Sequence, residues 1–136
     1  MIVELARFLS DCPFLDGERV CVNYLDGAAP AYSLEATKEK GQSRKYTDGG
    51  RLLSRKFVFA MRGEYCGADS INRQTAKKCS DIENWINSKS HAGQLPELGD
   101  KKTVISCEVT RGFAPDSTAS VDARYEAEIE IIFYSA

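Results

Sequence analysis

The chain has 136 residues, 43% apolar and 28% charged, with 18 basic against 20 acidic side chains, a net charge of −2 and a pI near 5.5. This length predicts one compact domain over residues 1–136, with a core large enough to need neither staples nor metals. The charge balance argues against specific nucleic-acid recognition, which needs a basic excess on one face. No apolar run reaches the ~18 residues of a membrane span, and Glu4 and Arg7 break up any signal-peptide pattern.

The elements follow in chain order. Ile2, Leu5, Ala6 and Leu9 recur at helical spacing, and Pro13 ends that helix. Asp16-Gly17 turns the chain into a strand over Arg19–Leu25, with Val20, Val22 and Tyr24 on one face. Tyr32–Ala36 is a second short strand. Asp48-Gly49-Gly50 then marks a tight hairpin over Arg44–Met61. Its base (Phe57, Phe59 and Met61 against Val58 and Ala60) reads as buried on both sides. Its tip, with Arg44, Lys45 and Arg51, reads as exposed, so the hairpin is expected to project. A longer helix spans Ser70–Lys89, capped by Asp69 or Ser70, with Ile71, Thr75, Cys79, Ile82, Trp85 and Ile86 as its apolar stripe and Gly93 as its stop. Asp100 leads into the strand Thr103–Thr110, where Ile105, Cys107 and Val109 share a face. Arg111–Asp122 is small, polar and aperiodic, which predicts a loop. The last strand, Arg124–Tyr134, alternates: Tyr125, Ala127, Ile129, Ile131 and Phe133 face in, while Arg124, Glu126, Glu128 and Glu130 face out.

The order predicts an α+β fold: a mainly antiparallel sheet with a long projecting β-hairpin and two helices packed on one face. The expected core holds Trp85, Ile82, Phe57, Phe59, Ile105, Ile129, Ile131 and Phe133.

Five cysteines (Cys12, Cys21, Cys66, Cys79, Cys107) make no C-x-x-C pair and leave one unpaired, which fits free thiols in a reducing cytosol better than a disulfide scaffold or a zinc site. The single histidine, His91, ends a helix, where it suits the terminal carbonyls. No P-loop, dinucleotide fingerprint or nucleophile elbow is present, so no catalytic, cofactor-binding or metal-ligating residue is assigned. Two constellations remain. Glu126, Glu128 and Glu130 form a carboxylate row, which reads as a solvated or charge-guarded surface, or else as an interface or channel wall. The basic hairpin (Arg44, Lys45, Arg51, Arg55, Lys56) reads as plain solvated charge, as a contact for an acidic protein surface, or as a phosphate contact.

A further set of segments runs in order along nearly the whole chain. It begins with Cys12-Pro13-Phe14-Leu15, Val22-Asn23-Tyr24-Leu25 and Tyr32-Ser33-Leu34. Lys45-Tyr46-Thr47-Asp48-Gly49-Gly50, Phe57-Val58-Phe59, Tyr65-Cys66-Gly67-Ala68-Asp69 and Ile82-Glu83-Asn84-Trp85-Ile86 follow. Gly93-Gln94-Leu95-Pro96-Glu97-Leu98 and Ala123-Arg124-Tyr125-Glu126 complete it. Together these segments resemble, in order, the small tail-completion proteins of phages of Gram-positive bacteria. Ser70–Ser80 departs from the family pattern in being basic and polar. Members are labelled minor capsid protein, tail terminator or, misleadingly, chloramphenicol resistance protein. The acetyltransferase base arrangement, His-x-x-x-Asp, fails here because Leu95 stands four residues after His91.

The resemblance implies an α+β tail terminator that is not an enzyme. It would form a homohexameric ring on the finished tail tube, touching the tail tube protein and the head–tail connector protein. It would be assembled in the host cytoplasm and carried in the virion, with no cofactor and no membrane partner. The expected interface residues are Arg44, Lys45, Asp48, Arg51, Arg55, Glu126, Glu128 and Glu130. The competing expectations are a tail tube subunit or connector protein, and a small cytosolic enzyme or ligand-binding domain using Cys66 or the glutamate row.

Overall fold

A computed structural model describes residues 1–38, 43–45, 49–65, 68–99, 101–118 and 122–136, without the side chains of 116–118 and 122. The elements are α1 (Ile2–Leu9), β1 (Val20–Val22), β2 (Ala31–Ala36), β3 (Ser43–Lys45), β4 (Arg51–Glu64), α2 (Asp69–His91), β5 (Lys102–Thr118) and β6 (Asp122–Ser135). They build the expected α+β architecture. The sheet has six strands in the order β1-β2-β4-β6-β5, with β3 also paired to β4. Every pairing is antiparallel except that of β1 with β2.

Both helices lie over one face and share one core with it. Leu5 and Leu9 of α1, Cys79, Ile82 and Ile86 of α2, and Phe57, Phe59, Ile129, Ile131 and Phe133 of the sheet are all buried there. Trp85, expected in the core, is only half-buried, because it sits at the seam between the helices with its ring 5.6 Å from that of Phe8. At the end of α1, the Ser10 hydroxyl donates to the Ala6 carbonyl and accepts from the Val20 amide, tying the helix to the first strand. Helix α2 stops as its sequence requires. Gly93 takes φ +74, and the amides of Gly93 and Gln94 donate back to the carbonyls of Ser90 and Lys89 in a Schellman arrangement.

Five further expectations need correction. The first strand is three residues long, because Asn23 adopts φ +55 and turns the chain; Tyr24 is left exposed. The N-cap of α2 is Ala68 and makes no side-chain bond, so Asp69 lies in the first turn and pairs with Arg73 instead. The hairpin exists, with Lys45 opposite Arg51, but it does not project over the described residues. Strand β6 runs beside β4 from Arg51 to Glu64 and holds it in the sheet; Asp48 lies outside the described residues. Ile105 is 53% exposed, because a bulge between Val104 and Ser106 inserts it as an extra residue and shifts the alternation to Val104 and Cys107. Arg111–Thr118 is bulged strand, and Phe113 stacks edge-on against Phe59 at 5.5 Å.

Helix α2 also closes a sheet edge. The outward amides of β5 donate to its polar stripe: Cys107 to Ser90 Oγ (3.1 Å), Val109 to Asn87 Oδ1 (2.9 Å) and Phe113 to Glu83 Oε1 (2.5 Å). Gly112 makes the last bond possible, since a Cβ there would stand 2.8 Å from Glu83 Oε1. These bonds occupy donors that a foreign strand would otherwise use.

Candidate interaction surfaces

The sheet face opposite the helices carries the glutamate row. Register places Glu126, Glu128 and Glu130 beside Ala60, Val58 and Lys56 of β4, and beside Ala114, Arg111 and Glu108 of β5. Glu126 and Glu128 do not stand bare. Arg124 grips both oxygens of Glu35 (2.5 and 3.0 Å) and reaches Glu126 at 2.8 Å. Lys56 stands 3.6 Å from Glu128. Glu130 faces the like charge of Glu108, which in turn has His91 at 3.5 Å. Ala60 and Ser33 are fully buried on this face, and the Ser33 hydroxyl accepts from the Tyr24 amide at 3.1 Å. The face is therefore a charge-paired lattice across β2, β4 and β6.

The basic residues divide between the two faces. Arg44 sits opposite Leu52, on the glutamate side, whereas Lys45 and Arg51 sit opposite each other on the helix side. Arg55 lies opposite Ile131, also on the helix side. None of Arg44, Lys45, Arg51 and Arg55 makes an ion pair with a described residue. The expected site thus separates into a paired acidic lattice on one face and an unneutralised basic border mostly on the other.

That border rims an open groove of about 770 Å³ where α1 leaves the start of β4 uncovered. Ile2, Ala36, Leu53 and Phe57 supply apolar surface, while Lys38, Arg51 and Arg55 supply charge. The sequence reading missed Lys38 and Leu53, because only the β2–β4 pairing and the position of α1 bring them beside the arginines.

A second cavity of about 340 Å³ lies where α2 passes the end of β4. Tyr32 donates to Asp16 at 3.0 Å, and Lys78 closes on the same carboxylate oxygen. Burial raises the Asp16 carboxyl, but the bonds from Lys78 and Tyr32 outweigh it and hold the group below the usual Asp value. Burial, followed by the Asp16 charge, pushes the Tyr32 phenol far above its ordinary range. Asp16, Tyr32 and Lys78 thus satisfy one another in the wall of this cavity. Cys12, Cys79 and Cys107 are buried free thiols, while Cys66 lies outside the described residues. Among the described residues no cluster of His, Cys, Asp or Glu could hold a metal ion, and no helix is long and apolar enough to cross a membrane.

No protein-family model matches the chain, and no curated protein sequence matches it.

Proposed function

We propose that the chain is a virion assembly protein that caps a finished phage tail tube as a ring and offers a joint to the head connector. The carrying observation is the in-order resemblance of segments from Cys12 to Glu126, whose implied α+β fold agrees with the six-stranded sheet and its two helices. The surface chemistry is compatible with work done through contacts. Exposed Arg44, Lys45 and Arg51 have no ion-pair partner among the described residues, whereas the Asp16–Tyr32–Lys78 cavity is internally satisfied. Unpaired surface charge of this kind sets encounter and register with an acidic partner.

The test is to add the purified chain to tail tube subunits during polymerisation. Arrested tubes that carry the chain only at their ends support the reading. Incorporation along the tube would make it a tube subunit, and indifference to tubes would defeat the proposal.

A further inference from the structure

Exposed apolar surface in this molecule gathers at one edge. Four of the five large apolar side chains exposed among the described residues lie on α1 or on the segment leading through β1: Val3 (52%), Phe14 (40%), Val22 (37%) and Tyr24 (63%). Helix α1 packs against β1, so both elements belong to the same side of the sheet. The segment from Asp11 to Asp26 is acidic, carrying exposed Asp11, Asp16, Glu18 and Asp26 against Arg19 alone. Asp16 is held by Lys78, while Asp11, Glu18 and Asp26 form no ion pair with a described residue.

The basic groove has the opposite character. Its apolar floor, Leu53 and Phe57, is bordered by Lys38, Arg51 and Arg55, and no carboxylate is among its described lining residues. It opens at the Ile2 end of α1, whereas the acidic edge begins at Asp11, beyond the other end of that helix. An eight-residue helix is about 12 Å long, which sets the carboxylates of Asp11 and Glu18 apart from the groove as a distinct patch, whereas the Val22–Asn23 end of the edge lies beside it, with Asn23 Oδ1 accepting from the Ala36 amide at 3.0 Å.

We propose that the basic groove receives the acidic, aromatic-bearing β1 edge of a second copy of this chain, so that copies join head to tail. The proposal rests on the ring reading above and supplies its subunit contact. Two different, complementary patches make a heterologous interface, the kind that closes into a ring when the rotation per subunit allows it. Phe14 would bury apolar surface against the groove floor, and the charges of Asp11 and Glu18 would fix direction. Side-by-side sheet pairing is disfavoured at the far edge, where α2 occupies the β5 amides.

Charge reversal tests this. Arg51→Glu with Arg55→Glu reverses the groove, and Asp11→Lys with Glu18→Lys reverses the edge. Sedimentation velocity at low salt should show wild-type self-association that weakens as salt rises. Each double variant should lose association by about tenfold or more. An equal mixture of the two doubles, and a single chain carrying all four changes, should recover it. Circular dichroism checks folding; if a reversal unfolds the chain, Arg51→Gln with Arg55→Gln removes the charge more gently and should weaken association in the same direction. A wild type that stays monomeric overturns the proposal. So does a four-change chain no better than the doubles, which would assign the groove to an acidic segment of another protein. Variants that lose self-association yet still cap tails would remove this interface and leave the tail reading standing. Recovery as expected in a chain that ignores tails would do the reverse.

Discussion

The guanidinium of Arg124 on β6 reaches across β4 to take both carboxylate oxygens of Glu35 on β2, at 2.5 and 3.0 Å. Small Ala60 on the intervening strand is fully buried beneath this lattice. A fork-to-fork pair of this kind ties three strands together on a face that no helix covers.

Arg124→Ala should therefore leave Glu35 and Glu126 half-buried without a cation and cost about 2 kcal/mol, measured as a shifted urea midpoint. Glu35→Gln should cost about 1 kcal/mol, because Arg124 keeps Glu126. A loss below ~0.5 kcal/mol for Arg124→Ala would mean that water replaces the pair at no cost.

The bulge in β5 makes a second contrast. Ile105→Ser should change stability by no more than about 0.5 kcal/mol, since the side chain stands in solvent. Ile131→Ala, at a fully buried position on the neighbouring strand, should cost about 2–5 kcal/mol. Equal costs would return Ile105 to the core and abolish the bulge.

Hydrogen exchange reads the closed sheet edge directly. The Val109 amide should be protected in the wild type, and Asn87→Ala should expose it while the Cys107 amide stays protected by Ser90. Removing such a bond costs about 1 kcal/mol of global stability. Unchanged exchange at Val109 would show that α2 does not close the edge.

The alkaline limb of stability should report the buried thiols. Burial pushes both Cys79 and Cys107 up to about 12 from an ordinary value of 9.0, with nearby Glu83 adding to Cys79 and Glu108 to Cys107. The unfolded chain releases these protons from pH 9 upward while the native chain holds them. Their contribution is thus complete below pH 9 and is lost between 9 and 12, at about 1 kcal/mol per pH unit for each thiol. Cys79→Ala with Cys107→Ala should flatten that fall, and native Cys107 should resist alkylation. Rapid labelling in the folded state would contradict the assignment.

Periodicity carried much of this fold. The alternation from Tyr125 to Phe133 and the stripe from Thr75 to Ile86 are strong local patterns, and both faces came out as read apart from Trp85, which is only half-buried. What local pattern could not carry was non-local or depended on a single residue. A bulge at Ile105 leaves no mark in an alternating sequence until its partner strand is known. Over the described residues the hairpin lies in the sheet rather than projecting, because β6 extends as far as Ser135, a fact of pairing rather than of either segment. At the candidate surfaces, the carboxylate row was visible at its two-residue spacing, but its cations came from Arg124 at its own end and Lys56 on β4. The edge-closing stripe of Glu83, Asn87 and Ser90 was readable in principle, since those spacings place polar groups on one side of a helix.

The central claim, a ring that ends a tail tube, is tested most directly by imaging intact tails bearing a labelled form of this chain. The account predicts one ring of label at the head-proximal end of each tail. It also predicts that Arg44→Glu with Arg51→Glu, which alters both sheet faces at the start of β4, leaves the chain folded but the tails uncapped. Label distributed along the tube, label absent from tails, or normally capped tails from the double variant would each contradict it.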